Sequence, residues 1–248
     1  MTPTDPGGTI RWTHAFIDRP HERFDPAARF WTAVTGTRLS PRRGPDAEFA
    51  TLLPPAPEHD PCLKIQGVAG GPGGAHLDLA VEDIESTADR AHGLGARTLH
   101  EEEDLIVLGS PAGQAFCLVP WNGETRAPDP FDGTLADQIC VDVPAADHQR
   151  ETAFWRALTG WRLTAGTRPE YRALNPPARL PVRLLLRRLD TPGPLTAHLD
   201  LACVDRDATR AAHEKLGADF VTEHRAWTVM RDPAGGTYCL TDRPQRLT

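Results

Sequence analysis

The sequence has almost no lysine and no long apolar run. Only Lys64 and Lys215 are lysines among 27 basic residues, and 34 acidic residues give a formal net charge of −7. A non-specific nucleic-acid-binding protein needs a basic face, so this balance argues against that class. No stretch approaches the roughly 18 apolar residues of a transmembrane helix, which predicts that no segment spans a membrane.

Cysteine is also scarce, and its spacing is uninformative for metal or redox motifs. The five cysteines are odd in number and form no C-x-x-C pair. Most lie in apolar, strand-like runs, where a buried thiol behaves as a small hydrophobic group. The first residues carry neither the basic region nor the apolar run of a signal peptide. These features predict a cytoplasmic protein without a disulfide framework.

A six-residue segment, Ala-His-Leu-Asp-Leu-Ala, occurs twice, at 75–80 and at 197–202. Alternate side chains of a strand point to opposite faces, so His76 and Asp78 share one face and the leucines share the other. The leucine face needs a helix packed on it. An imidazole and a carboxylate on the opposite face are costly unless that face is wet or holds a ligand.

The two copies belong to a repeat that extends along nearly the whole chain. Phe30-Trp31 recurs 124 residues later as Phe154-Trp155, and Pro111-Ala112-Gly113 recurs 122 residues later as Pro233-Ala234-Gly235. Matches in this order, with a drift of two residues, indicate a duplicated module.

Each copy shows the pattern strand, helix, three strands, and then the same order again. The helix predicted from Phe24 to Val34 stops at Gly36, as a helix C-terminus should. We predict an α+β fold with modules at 8–121 and 134–243, joined by a Pro/Gly/Asp-rich linker at 122–133.

This doubled β-α-β-β-β unit resembles the vicinal oxygen chelate superfamily, which includes glyoxalases, bleomycin-resistance proteins and extradiol dioxygenases. The resemblance rests on the Phe-Trp…Thr-Gly helix, the His-Leu-Asp-Leu-Ala strand with its Leu-Gly-Ala helix end, and the Pro-Ala-Gly turn before Phe/Tyr-Cys-Leu. It implies that each module curls its strands into a half-open β-cup that holds a metal or a ligand. The fold hosts unrelated chemistries, so the resemblance does not name an activity.

Metal-dependent members of the superfamily take ligands from the first, fifth and eighth strands of a module, the last usually a glutamate. The matching positions are His14, His76 and Cys117 in module one, and Gln138, His198 and Cys239 in module two. Cysteine in place of glutamate disfavours the hard ions Mn, Fe(II) and Mg. We therefore expect no divalent metal cofactor. If one is bound, His14, His76 and Cys117 are its predicted ligands, a set that zinc can accept.

Residues expected on the cup faces form the candidate ligand site. They are His14, His76, Asp78, Cys117, Gln138, Tyr171, His198, Asp200, Trp227 and Cys239. The best catalytic candidates are His76, Asp78 and His14, because an aspartate can fix the tautomer of a histidine that transfers a proton.

The two cups are predicted to differ in polarity. Module two places Leu184 or Leu186 where module one has Lys64 or Gln66. Together with the two aromatic residues Tyr171 and Trp227, these leucines predict that module two binds the apolar body of a ligand.

The same residues also have purely structural interpretations. His76 and His198 fit family-typical strand residues that hydrogen-bond to the neighbouring aspartates without doing chemistry. Cys117 and Cys239 fit inert buried thiols, and Arg187-Arg188 fits an exposed strand end better than an anion site.

Three function classes follow from this pattern. The first is a module that binds a small organic molecule in its cup without the usual divalent metal, which the loss of the glutamate favours. The alternative is a lyase- or isomerase-type enzyme acting on an oxygenated small molecule, either metal-free through its His-Asp pair or metal-dependent. The third is a structural or regulatory protein with vestigial cups. The expected partner is a small molecule, not nucleic acid or membrane, and the expected state is a monomer with pseudo-two-fold symmetry or a homodimer.

Overall fold

The computed structural model describes residues 10–71, 73–165 and 168–245, and two similar halves follow each other along the chain. The first half contains β1 Ile10–Pro20, α1 Phe24–Thr35, β2 Arg38–Leu39, β3 Phe49–Leu53, β4 Leu63–Val68, β5 Gly74–Val81, α2 Ile84–Gly93, β6 Arg97–Glu102, β7 Leu105–Gly109 and β8 Ala115–Pro120. The second half contains β9 Thr134–Val143, α3 His148–Thr159, β10 Arg162–Ala165, β11 Tyr171–Asn175, β12 Arg183–Arg188, β13 Thr196–Cys203, α4 Arg206–Lys215, β14 Asp219–Glu223, β15 Trp227–Arg231 and β16 Thr237–Thr241.

Each half forms one open sheet of eight strands. The order is β2-β3-β4-β1-β5-β8-β7-β6 in the first sheet and β10-β11-β12-β9-β13-β16-β15-β14 in the second. The pairs β1–β4, β5–β8 and β13–β16 are parallel, and the hairpins at the sheet edges are antiparallel. The prediction of an α+β fold with two tandem modules, each a pair of β-α-β-β-β units, is confirmed.

The helices begin and end at the residues that the repeat places there. Asp83 and Asp205 cap α2 and α4 by accepting the backbone N–H three residues ahead, each at 2.9 Å. Gly36 and Gly160 end α1 and α3 in the left-handed conformation, with φ of 64° and 68°. The duplication therefore preserves helix termini as well as apolar positions.

The strands alternate as their sequences predict. On β5, Leu77 and Leu79 are buried in the core, and Asp78 lies opposite Cys117 of β8 in the parallel register. Phe116, the neighbour of Cys117, points to the other face and meets the ring of Trp155 edge-on at 4.9 Å. One face of β5 and β8 thus serves the core, and the other presents polar groups.

The chain divides into two compact units, and neither unit coincides with a module. Among the described residues, the first unit contains those up to His14 together with His76–Thr125 and Cys140–Ala197, and the second contains Ala15–Ala75, Arg126–Ile139 and those from His198 to residue 245. Each unit therefore draws on both halves of the sequence. The module boundaries 8–121 and 134–243 stay a prediction.

The core of each unit is centred on an aromatic pair from one helix. In the first unit Phe154 and Trp155 of α3 contact Phe116 of β8. In the second, Phe30 and Trp31 of α1 contact a tyrosine, Tyr238, of β16. In the described part of the chain, no helix is long and apolar enough to cross a membrane.

Candidate functional site

Three potential metal ligands lie together on β5 and β8. The Nε2 atom of His76 is 3.5 Å from Oδ1 of Asp78, and the ligand atoms of His76, Asp78 and Cys117 all lie within 4.8 Å of one another. All three residues are buried. The strand register produces this group, since Asp78 and Cys117 are direct partners and His76 is two residues away on the same face.

The thiol of this group is protonated at neutral pH. Burial, followed by the negative charge of Asp78, raises the pKa of Cys117 to about 11, against the opposing effect of His76. A metal ion bound here must therefore displace a proton from the sulfur.

His14 of β1 is buried and faces a glutamate. Its Nε2 atom is 3.9 Å from Oε1 of Glu124, whose side chain is only 14% exposed. The carboxylate is held in place by its own loop, because the backbone N–H of Asn122 donates to Oε2 at 2.9 Å. The indole of Trp121 donates to the Glu124 carbonyl, also at 2.9 Å. The turn needs Gly123 at a φ of 96°.

Glu124 is not among the residues predicted from the sequence, which assigns it to the linker. The available signal is the Trp-Asn-Gly segment directly after β8, which is typical of a tight turn that returns the chain to its sheet. The trio predicted as metal ligands is also regrouped. The structure brings His76 and Cys117 together with Asp78, whereas His14 is not part of the three-residue group.

The equivalent positions of module two are linked by two hydrogen bonds and one ion pair. The amide of Gln138 donates to Oδ2 of Asp200 at 2.5 Å, and Nε2 of His198 is 3.3 Å from Oδ1 of the same carboxylate. The sulfur of Cys239 lies 3.3 Å from Nε2 of His198. Protein groups thus contact both carboxylate oxygens.

The remaining two predicted ligand-binding residues have different environments. Tyr171 of β11 lies opposite Arg187 of β12 in the antiparallel register, and the two side chains hydrogen-bond. Trp227 of β15 is half-buried and stacks on His224 with ring centroids 4.4 Å apart. Trp227 is two residues from Val229, the register partner of Cys239, so it is on the same face of the sheet as that cysteine.

The prediction that leucines of β12 line a binding face is not supported by the observed alternation. Leu184 and Leu186 are fully buried, while the half-buried residues Leu185 and Arg187 point to the other face. Arg187 therefore takes the position that Gln66 has on β4, and it is a candidate site residue that the sequence interpretation places at an exposed strand end.

The group on β5 and β8 fits a divalent metal ion. Zinc accepts imidazole nitrogen, carboxylate oxygen and thiolate sulfur, whereas manganese prefers oxygen. One of each ligand type is present within a single buried cluster.

Solved structures of other proteins share this fold. They include a triple mutant of 4-hydroxymandelate synthase from Streptomyces coelicolor, with 12% identity, a TM-score of 0.64, and coverage of 98% of this chain and 95% of that chain. The Mn(II)-bound glyoxalase from Novosphingobium aromaticivorans has 17% identity, a TM-score of 0.65, and coverage of 98% and 85%. A variant of homoprotocatechuate 2,3-dioxygenase from B. fuscum, in complex with HPCA, has 13% identity, a TM-score of 0.63, and coverage of 98% and 74%. A comparison with curated protein sequences gives no significant match.

The expectation that no divalent metal cofactor is favoured is wrong. A protein of the same fold holds Mn(II), and this chain places three potential ligands within 4.8 Å of one another. The expectation fails because it treats the cysteine of β8 as the loss of a carboxylate. The strand register instead places the carboxylate of Asp78 directly beside Cys117.

The family comparison agrees with the internal repeat. The model described as "Glyoxalase-like domain" matches the chain twice, over residues 14–119 and 138–241. The two matches fall on the two sheets, and the resemblance to the vicinal oxygen chelate superfamily is confirmed. The chain belongs to the glyoxalase-like domain family and carries two tandem copies of the domain.

Proposed function

We propose that the chain is a metal-dependent enzyme of the lyase or isomerase type that acts on an oxygenated small molecule. The proposal rests on one observation, the buried His76–Asp78–Cys117 group with all ligand atoms within 4.8 Å. These residues would hold a zinc-type ion, since the set combines nitrogen, oxygen and sulfur. The bound ion would supply a Lewis acid that polarises a substrate oxygen.

His14 and Glu124 support a proton-transfer role beside that group. A buried imidazole with a carboxylate 3.9 Å from its Nε2 atom is suited to take a proton from a substrate and return it, because the carboxylate favours the protonated ring. The buried position of His14 limits competition from bulk water, and the Trp121–Glu124 turn fixes the carboxylate. A cytoplasmic location and a monomeric or homodimeric state stay predictions.

Cobalt substitution tests the metal site directly. We expect protein loaded with Co(II) to show a sulfur-to-metal charge-transfer band, because the ion contacts a thiolate. Cys117→Ser should remove the band. Elemental analysis should also show that the zinc content of the variant is far below the one ion per chain of the unaltered protein. Cys203→Ser is the matched control, since Cys203 is also a buried free thiol but lies outside the group.

Two outcomes would contradict this assignment. One is protein that retains no stoichiometric metal after purification without chelator and reloading. The other is a band that survives Cys117→Ser and disappears in Cys239→Ser, which would move the site to module two.

The reaction itself is tested with a panel of oxygenated compounds, including hydroxyketones, hydroxy acids and the catechol HPCA. We expect turnover by proton transfer without oxygen consumption, and a loss of roughly 10²–10⁴-fold in kcat for His14→Ala, the usual contribution of a general acid or base. Metal content should be unchanged in this variant. Saturable binding without turnover across the panel would instead favour a binding module.

A further inference from the structure

A cluster of hydrogen-bond donors lies on β11 and β12 of the second half. It includes neither His14 nor any residue of the His76–Asp78–Cys117 group. Arg187 of β12 faces Tyr171 of β11, and its Nε atom is 2.7 Å from Oδ1 of Asp142 on β9. The Arg187 side chain is 33% exposed, whereas that of Asp142 is 11% exposed. The cluster is thus anchored at its buried end and accessible at the guanidinium.

The anchoring fixes the orientation of the guanidinium. Arginine carries five N–H donors, and the Nε atom of Arg187 forms an ion pair with Asp142. The phenol oxygen of Tyr171 must be the acceptor in its hydrogen bond with Arg187, because the guanidinium has no acceptor. Burial raises the pKa of Tyr171 to about 12, so the phenol keeps its own proton at neutral pH.

The fold does not require this cluster. The same register pair in the first half is Phe49 opposite Gln66, a combination that has no charge. The first half keeps an aspartate, Asp18, which is the direct register partner of Gln66. The first half thus has the aspartate without an arginine at the position that corresponds to Arg187. The aspartate of the second half, Asp142, is therefore not present only to neutralise the charge of Arg187.

We propose that Arg187 and Tyr171 bind the carboxylate group of a small organic ligand in the second half of the chain. The planar fork of a guanidinium matches a carboxylate through two parallel hydrogen bonds, and a neighbouring phenol adds a third donor. Arginine held by a buried aspartate is pre-organised, so binding loses less side-chain entropy. The assignment is independent of the metal site in the first half.

Calorimetric titration with benzoate tests the proposal, with benzamide as the uncharged counterpart. We expect saturable binding of benzoate and at least about tenfold weaker binding of benzamide, as for loss of a charged hydrogen-bond partner. Arg187→Gln installs the residue found in the first half and should weaken benzoate binding by about tenfold or more. Tyr171→Phe should weaken it by roughly fivefold.

Arg188→Gln is the matched control. Arg188 is the next residue, is more exposed, and lies 3.9 Å from Asp190 at the strand end, so its replacement should leave benzoate binding unchanged. Arg187→Lys keeps a positive charge beside Asp142, so this variant is expected to fold. It should still weaken benzoate binding, because lysine lacks the planar guanidinium that donates two parallel hydrogen bonds. Unchanged benzoate binding in folded Arg187→Lys and Arg187→Gln, or no saturable benzoate binding by the unaltered protein, would overturn the proposal.

Discussion

At the scale of single residues, His213 is the clearest case of a titratable side chain that the folded protein keeps in its neutral form. It is 3% exposed, its Nδ1 atom is 2.9 Å from the hydroxyl of Tyr238, and its ring meets Phe30 edge-on. Burial lowers the pKa of His213 to about 4. Its counterpart in the first half is a buried alanine, Ala91.

This burial makes the stability depend on pH. Between pH 6.5 and about 4 the unfolded chain binds a proton at His213 that the folded chain does not, so the free energy of unfolding falls as the pH is lowered through this range. The contribution amounts to about 3 kcal/mol, present in full above pH 6.5. Urea denaturation across this range should show a shallower pH dependence for His213→Gln than for the unaltered protein.

His92→Gln is the control for that measurement, because His92 is an exposed residue near the end of α2. Its pH profile should follow that of the unaltered protein. Parallel profiles for His213→Gln and the unaltered protein would mean that folding does not lower the pKa of His213.

Arg187 shows where sequence patterns fail at the residue scale. Alternation identifies the faces of β5 because polar and apolar residues take turns there, and the placement of His76 and Asp78 on one face follows from it. On β12 three leucines in succession, at 184–186, leave the alternation ambiguous. The face of the arginine is shown only by the folded structure, through the burial along β12 and the pairing of Tyr171 with Arg187.

At the scale of the elements, the two tryptophans of the helices find their acceptors in different ways. Trp31 of α1 donates to Asp232, which belongs to the turn before β16 and also accepts from the buried Arg19 at 2.7 Å. Trp155 of α3 donates to Glu151 of its own helix, and Glu151 reaches the corresponding turn by accepting the N–H of Ala112. The carboxylate therefore comes from the turn in the case of α1, and from the helix itself in the case of α3.

We expect Asp232→Ser to lower the free energy of unfolding by about 3–5 kcal/mol, because Arg19 keeps its charge and loses its ionic partner in the core. Serine is the residue at the equivalent position, Ser110. Adding Arg19→Val should recover part of the loss, since the buried charge is then removed as well. Chemical denaturation measures both variants.

Asp147→Ser serves as the control, because Asp147 is half-buried and its ion partner Arg150 is exposed, with an expected change within about 0.5 kcal/mol. An Asp232→Ser variant as stable as this control would show that the ion pair with Arg19 contributes nothing net.

The order and type of the elements could be predicted from the sequence, because strands and helices carry local signals. The helix from Phe24 ends at Gly36 as predicted, and the Gly-Ala turn after α2 recurs after α4. The acceptor of Trp31 could not be predicted, because Asp232 lies 201 residues further along the chain and reaches α1 only in the folded protein. Glu151 lies four residues before Trp155 in the same helix, so this acceptor is local, but the repeat implies a symmetry that Asp232 and Glu151 break.

At the scale of the whole molecule, neither compact unit is contained in one module. The periodicity of each half describes its own strands and helices, so the sequence suggests two independent modules. The sequence does not indicate which segments of the two halves share a core, because the composition of each core depends on packing between distant segments. The aromatic contacts of Phe30 with Tyr238 and of Phe154 with Phe116 reveal it.

Division of the chain in the linker should therefore prevent either half from folding alone. We expect fragments 1–125 and 126–248, produced separately, to show no cooperative thermal unfolding, since each contains only part of each unit. Mixed in equal amounts, they should form a 1:1 complex with the circular dichroism spectrum of the intact protein.

The intact chain cleaved at an engineered protease site in the linker is the control, and its halves should elute together on size exclusion. Two fragments that each unfold cooperatively as monomers would show that the modules, and not the contact-defined units, are the folding units.

The distribution of the aromatic core has a consequence for how such a chain arose. A half-length ancestor carrying the Phe-Trp helix would have needed the last strand of a second copy to cover it, as Trp31 needs Tyr238 and Trp155 needs Phe116. Gene fusion makes the association of the two copies intramolecular. With a short linker, each copy then meets the other at an effective concentration on the order of millimolar. Once fused, the two copies were free to diverge, which accounts for Phe49 and Gln66 in one copy and Tyr171 and Arg187 in the other.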